Sequence, residues 1–240
     1  YLRYLQKPYK MKYVTNFLAR LQANNNREWF RAHKDEYQAA QNRFDALTAQ
    51  LVEGLGRIDE TVSGLAVKDC TYRIYRDTRF TTDKSPYKTH MGAFVCPGGK
   101  KSGFAGYYFQ VGPEESGYPA GNMLAAGHYC LPTRVMRLLR EDISTDNGEF
   151  GRIVAGAAPF VLDGEDRLRR VPNGFPKDAP FSPFLTYRTF CLSYSPGRAF
   201  MLRPDVVERT LDIFRTAQPF IAYVNRAVAY AREADAGLAD

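Results

Sequence analysis

The sequence predicts an α+β fold with an antiparallel-rich central sheet covered by long N-terminal and C-terminal helices. Three observations carry this expectation. Helical stripes lie at both ends of the 240-residue chain, strand-like runs cluster between them, and no alternation of strand with helix supports a doubly wound parallel sheet. Hydrophobic residues make up 45% and charged residues 25%, a globular rather than a disordered composition. That length can bury a sizeable core.

Val14 to Gln22 sets Phe17, Leu18 and Leu21 on one side of a short helix, which Asn24, Asn25 and Asn26 then break. Asn25 followed by Glu28 is an Asn version of the capping box. The Asn oxygen takes a free backbone N–H and the Glu reaches back. Phe30, His33, Tyr37, Ala40, Phe44, Leu47, Leu51 and Leu55 recur every three or four residues and predict one helix of about seven turns. Thr71 to Asp77, rich in Tyr, reads as a strand. Gly92 to Cys96 and Phe104 to Val111 flank a Gly-rich turn and read as a hairpin, with a further strand between Asn122 and Tyr129. Pro132 suits the first position of a helix through about Ile143. A short helix is expected over Glu149 to Ala157. Five of the fourteen prolines fall between Pro159 and Pro183, so that stretch is expected to be irregular. Tyr187 to Tyr194 suits one more strand. Pro204 opens a final helix with Val207, Leu211, Phe214, Ala217, Ile221, Val224 and Val228 as its stripe and Pro219 as its kink. The whole chain, 1–240, is expected to be a single domain, with residues 1–12 an extension ahead of it.

The net charge is +7, a balance that attracts phosphorylated ligands, nucleic acid or acidic surfaces. Cys70, Cys96, Cys130 and Cys191 form no CxxC pair, so zinc has no support from spacing, and reduced thiols in a cytoplasmic protein are expected. No apolar run reaches the ~20 residues of a membrane helix, and no signal peptide is evident.

Lys68 to His90 is the segment richest in chemistry. It holds Lys68, Arg73, Arg76, Arg79, Lys84 and Lys88 against Asp69, Asp77 and Asp83. Six cations against three carboxylates leave +3, nearly half of the chain's excess charge in about a tenth of its length. Arg presents a planar fork that grips phosphate or carboxylate through two hydrogen bonds. If residues 72–77 are a strand, Tyr72, Ile74 and Arg76 share one face and Arg73, Tyr75 and Asp77 the other. Two readings follow. Either Asp69, Asp77 and Asp83 pair with the cations in a structural network, or Arg73, Arg76, Arg79, Lys84 and Lys88 form an anion clamp that the acids orient.

Two stretches carry a resemblance. Asn25-Asn26-Arg27-Glu28-Trp29-Phe30 is followed by Arg73-Ile74-Tyr75-Arg76-Asp77-Thr78-Arg79-Phe80, then by Asp83-Lys84 and Pro86-Tyr87-Lys88-Thr89-His90. With Gly98-Gly99 and Tyr107-Tyr108, these resemble the conserved hypothetical family called domain of unknown function 2461, from about Val14 to about Val224. The resemblance implies one conserved unit and no particular activity. The family pattern has a glycine run before an aromatic residue and a proline; this chain has Ala125-Ala126-Gly127-His128-Tyr129-Cys130-Leu131-Pro132 there.

The turn at Gly98 to Gly103 lacks the spacing of a P-loop. Of the histidines, His33 lies on the apolar stripe of the long helix and suits a hydrogen-bonded core position. His128 lies two residues from Cys130, on one strand face. His90 ends the basic segment and is the candidate acid–base group; Asp77, Asp83 and His90 together could also bind a divalent metal, although their spacing favours a loop hydrogen bond instead. The leading expectation is a binder of, or enzyme acting on, a small phosphorylated or carboxylated anion. The alternatives are a nucleic-acid-binding domain, for which no known signature is present, and a non-catalytic interaction module.

Overall fold

The computed structural model describes residues 11–113 and 121–236; the expected extension lies largely outside them. Among the described residues eight α-helices and five strands form an α+β protein with helices flanking an antiparallel sheet. The helices are α1 (Met11–Ala23), α2 (Arg27–Ala32), α3 (Lys34–Gly56), α4 (Val67–Cys70), α5 (Thr133–Thr145), α6 (Glu149–Gly156), α7 (Arg198–Met201) and α8 (Val206–Ala236). The strands are β1 (Met91–Val95), β2 (Gly106–Val111), β3 (Met123–His128), β4 (Val161–Leu162) and β5 (Phe190–Tyr194), ordered β1-β2-β3-β5-β4 across the sheet. β4 pairs antiparallel with β5, Val161 opposite Ser193 and Leu162 opposite Leu192.

Four expectations need correction. The seven-turn helix is two helices, α2 and α3, separated at His33, which sits at φ −115° and ψ 24°. The His33 ring stacks on Trp29 and its Nδ1 donates to Trp29 O at 2.7 Å, the same carbonyl its backbone N–H uses. This local competition draws the residue out of helical geometry. The cap of α2 is Asn26 rather than Asn25: its side chain accepts from Trp29 N at 2.9 Å. Thr71 to Asp77 is extended but is not a regular strand. It meets its neighbours in isolated bridges, Thr71 to Ala93 and Tyr75 to Tyr87. Pro86 accepts from Arg76 N but has no N–H to return, so the ladder cannot continue there. Pro132, in turn, caps α5 from just outside it, and α8 runs on through Pro219.

The chain forms two compact units, each assembled from three stretches. One comprises Tyr1–Val95, Tyr108–Leu124 and Ser195–Leu211; the other Cys96–Tyr107, Ala125–Tyr194 and Asp212–Asp240. In the first, α1 lies along α3, burying Val14, Phe17, Leu18 and Leu21 with Phe44, Leu47, Leu51 and Leu55. Phe44 faces Phe109 of β2 with ring centroids 6.1 Å apart, and a fully buried ring of this kind contributes about 1.5–3 kcal/mol. Gly54 lets the end of α3 pack on Leu211, whose Cγ would lie 3.1 Å from a side-chain carbon at 54.

In the second unit Phe150 is the centre of an aromatic cluster, with Phe184, Phe190, Phe220 and Tyr223 at 5.2–5.7 Å. Tyr223 donates to Asp146 Oδ2 at 2.7 Å, and the same carboxylate accepts from the N–H groups of Gly148 and Phe150 at the start of α6. Burial and this carboxylate push the Tyr223 hydroxyl far above the usual tyrosine range. Asn225 of α8 clasps the backbone of Ala105, accepting from its N–H at 2.8 Å and donating to its carbonyl at 3.1 Å.

Candidate anion site

The basic segment is held by the Asn-rich break after α1. Asn25 donates through Nδ2 to Tyr87 O at 2.9 Å and accepts from Tyr87 N at 3.2 Å, a side chain standing in for a strand neighbour. Phe30 of α2 stacks on the Tyr87 ring at 3.9 Å, and Tyr75 closes the cluster. The residue read as a cap is therefore a clamp between sequence-distant parts of the chain. Asn25→Ala removes both bonds and leaves two half-buried backbone groups unpaired. It is expected to cost about 2 kcal/mol, measurable as a lowered urea midpoint without loss of helical circular dichroism.

From that anchor the segment turns back on itself. Tyr72 N donates to Gly92 O at 3.0 Å, and Lys88 N to Ile74 O at 2.8 Å. Ile74 is buried while Arg73 and Tyr75 are exposed, but Tyr72 is exposed as well, so the expected alternation does not hold at Tyr72. Arg73 is thereby brought to the same side as Lys88 and His90. These three, with Tyr72, Gly92 and Tyr108, line a pocket of about 240 Å³.

The remaining charges of the segment are used elsewhere. Arg76 bonds Asp83, which also accepts from the Ser85 hydroxyl at 2.6 Å and the Ser85 N–H at 2.9 Å. Arg79 grips Asp77 through Nε and Nη2, the closest contact 2.6 Å, in the open. Lys84 donates to Thr78 O at 2.9 Å, and Asp69 is exposed on α4. The Arg79 guanidinium holds the Asp77 carboxyl down at about 2, while Ser85 and Arg76 hold Asp83 below the usual carboxylate range. The acids orient a loop; they do not enter the pocket.

Among the described residues Arg73 and Lys88 have no salt bridge, and the His90 ring has no hydrogen-bond partner; the loop hydrogen bond that its spacing favoured does not form among them. The Lys88 ammonium lies 5.3 Å from the centre of the Tyr72 ring. Burial, then the neighbouring Arg73, lowers the Lys88 pKa. Burial, then Lys88 and Arg76, pushes His90 down to about 4. Among the described residues the pocket thus holds two cations and an imidazole kept neutral by burial first and then by Lys88 and Arg76, with no carboxylate in its lining.

Tyr108 forms the wall against β1. Its hydroxyl donates to Gln110 Oε1 at 2.6 Å, and Gln110 Nε2 donates to Gly121 O at 2.6 Å. Gly92 leaves room for it: a side-chain carbon at 92 would lie 2.6 Å from the Tyr108 hydroxyl and 3.1 Å from its Cζ.

The other candidates fare differently. His33 is half-buried and bonded to Trp29 O. His128 Nδ1 accepts from Cys130 N at 3.1 Å, a link through the backbone that leaves the exposed thiol out. Among the described residues no group of three or more His, Cys, Asp and Glu side chains is placed to hold a metal ion, and no helix is long and apolar enough to cross a membrane.

A family model described as a conserved hypothetical protein, domain of unknown function 2461, matches residues 13–223. The chain belongs to this family. No curated protein and no solved structure matches it. The family description names no activity, so function rests on the pocket. In this member of domain of unknown function 2461, the two stretches that carry the resemblance meet at the Asn25–Tyr87 clamp. Two pocket residues escaped the sequence reading as site residues: Gly92 and Tyr108. Tyr108 left a trace in the Tyr107-Tyr108 pair. Gly92 left none, because a glycine at the start of a strand looks like any other.

Proposed function

We propose that this protein binds a small phosphorylated or carboxylated anion in the pocket between Arg73, Lys88 and His90. The observation that supports this most is the mismatch of charge: among the described residues two cations share a small, partly desolvated pocket with no acid, while Asp83 and Asp77 of the same segment pair with Arg76 and Arg79. Leaving like charges together in such a place is costly unless a counter-ion fills it. The volume suits a small metabolite or the head group of a larger one. The clamp proposed here narrows to Arg73 and Lys88, with Arg76, Arg79 and Lys84 shaping the loop and Asp69, Asp77 and Asp83 outside the pocket. His90, neutral at pH 7, is suited to accept a proton or hydrogen-bond a ligand oxygen. Thiols with no pairing motif suit a reducing compartment, which the cytoplasm supplies.

Titration with inorganic phosphate and with a single-stranded oligonucleotide, each at 50 and 200 mM salt, tests the reading. The oligonucleotide reading predicts a log–log salt slope of roughly −0.7 for every phosphate contacted. The pocket reading predicts saturable phosphate binding with a shallow slope, lost in Gly92→Ala, where Tyr108 is forced into the cavity. Tight oligonucleotide binding with a steep slope, unaffected by Gly92→Ala, would contradict it.

A further inference from the structure

Building on the anion-pocket reading, we infer that the ligand's head group is a phosphate-type dianion rather than a monocarboxylate, and that His90 takes up a proton when it binds. Three donor-bearing groups converge on one pocket: the Arg73 guanidinium, the Lys88 ammonium and the His90 ring. A monocarboxylate has one negative charge and two oxygens. It would neutralise one cation and leave the other uncompensated. A phosphate monoester concentrates two charges on three terminal oxygens around one centre, so each of the three groups can address its own oxygen. A dicarboxylate has the charge but spreads it over two separated groups, which suits a cavity of about 240 Å³ less well.

The proton follows from what surrounds His90. The cations that disfavour its charge are Lys88, its neighbour in the same return loop, and Arg76 of the facing segment, whose own partner is Asp83. Arg73 and Tyr72 face it from that segment too, and Tyr108 from β2. Among the described residues no carboxylate lines the pocket to offset them. A bound dianion reverses the local sign, and the imidazolium becomes the favoured form. The ring has no hydrogen-bond partner among the described residues, so it is free to donate to the anion once protonated. Binding of an anion that itself stays doubly charged therefore strengthens as pH falls from neutral toward 6.

Sulfate is the probe that isolates this, because it stays a dianion across that range and any proton taken up belongs to the protein. Isothermal titration of the full chain with sulfate at pH 6 is run in two buffers of different ionisation enthalpy. The expected result is uptake of about 0.3–1 proton per sulfate. Acetate at the same ionic strength should bind at least about tenfold more weakly. His90→Asn keeps a donor of similar reach and should still bind sulfate, with the proton uptake gone. Acetate binding as tightly as sulfate overturns the inference. So does sulfate binding without proton uptake, or with uptake that persists in His90→Asn. In each of those cases the anion pocket itself still stands. Binding of neither ion removes the pocket reading and this inference together.

Discussion

Gly127→Ala is expected to destabilise the protein by about 4 kcal/mol, among the largest effects of any single methyl group in the chain. Gly127 lies within β3 at φ +127°, a backbone conformation that residues with a Cβ rarely adopt. Space compounds the strain. A Cβ there would press into the carbonyl oxygen of Phe190, and would lie 3.0 Å from both Cys191 Cα and the Phe220 ring. Two of these neighbours are backbone of β5, paired in the sheet, and cannot swing aside. The third belongs to the ring cluster around Phe150. Relief requires β3 and β5 to part, which breaks ladder hydrogen bonds and loosens that core together. Urea denaturation of the purified variant checks the magnitude. A midpoint within error of wild type would mean that the β3–β5 approach is looser than described.

His90 is expected to make stability fall between pH 6.5 and 4, by roughly 3 kcal/mol in full. Its folded-state pKa is pushed down to about 4 from an ordinary 6.5, chiefly by burial and then by Lys88 and Arg76. At pH 7 the ring is neutral folded and unfolded, and the contribution is fully present. As pH falls below 6.5 the unfolded chain takes a proton that the folded chain refuses, so stability drains away until the folded ring also protonates near 4. Asp77, Asp83 and Asp205, whose carboxyls are held low by hydrogen bonds and arginines, work in a different window: their contribution is lost only below the ordinary carboxylate value of 3.8. His128 is lowered by burial and acts in the same range as His90. The diagnostic quantity is therefore the difference between wild type and His90→Asn, from urea midpoints at pH 7.5 and 4.5. Most of the fall should vanish in the variant. Parallel pH profiles would show that His90 titrates normally.

Much of the fold was legible because its signals are local. The stripes of α1 and α8, the prolines near the starts of α5 and α8, and the turn glycines between β1 and β2 each mark an element within a few residues. The break at His33 was not legible, since the apolar period runs through it unchanged; a side chain reaching for Trp29 O ends the helix. Thr71 to Asp77 buried Ile74 as a strand would, but lost the ladder to Pro86, fifteen residues downstream of Thr71, and Tyr72 and Arg73 came to line one pocket. The site was legible as a stretch of charge but not as a shape. Sequence offers three acids for six cations and cannot say which pair. Asp77 reached Arg79 and Asp83 reached Arg76, leaving Arg73 with Lys88. Asp77 was expected either to pair with an arginine in a structural network or to orient the clamp. Its pair is in fact exposed, and exposed pairs contribute little.

The central claim is that Arg73 and Lys88, rather than the other cations of the segment, make the anion site. Its most direct measurement is inorganic phosphate affinity in four single variants, Arg73→Ala, Lys88→Ala, Arg79→Ala and Lys84→Ala, each confirmed as folded by circular dichroism. Losing a charge-assisted hydrogen bond of about 1.5–3 kcal/mol predicts a drop of roughly 10- to 150-fold for Arg73→Ala and for Lys88→Ala. Arg79→Ala and Lys84→Ala should stay within about threefold of wild type, the scale of a screened surface charge. Equal losses in all four, or wild-type affinity in Arg73→Ala and Lys88→Ala, would contradict the account.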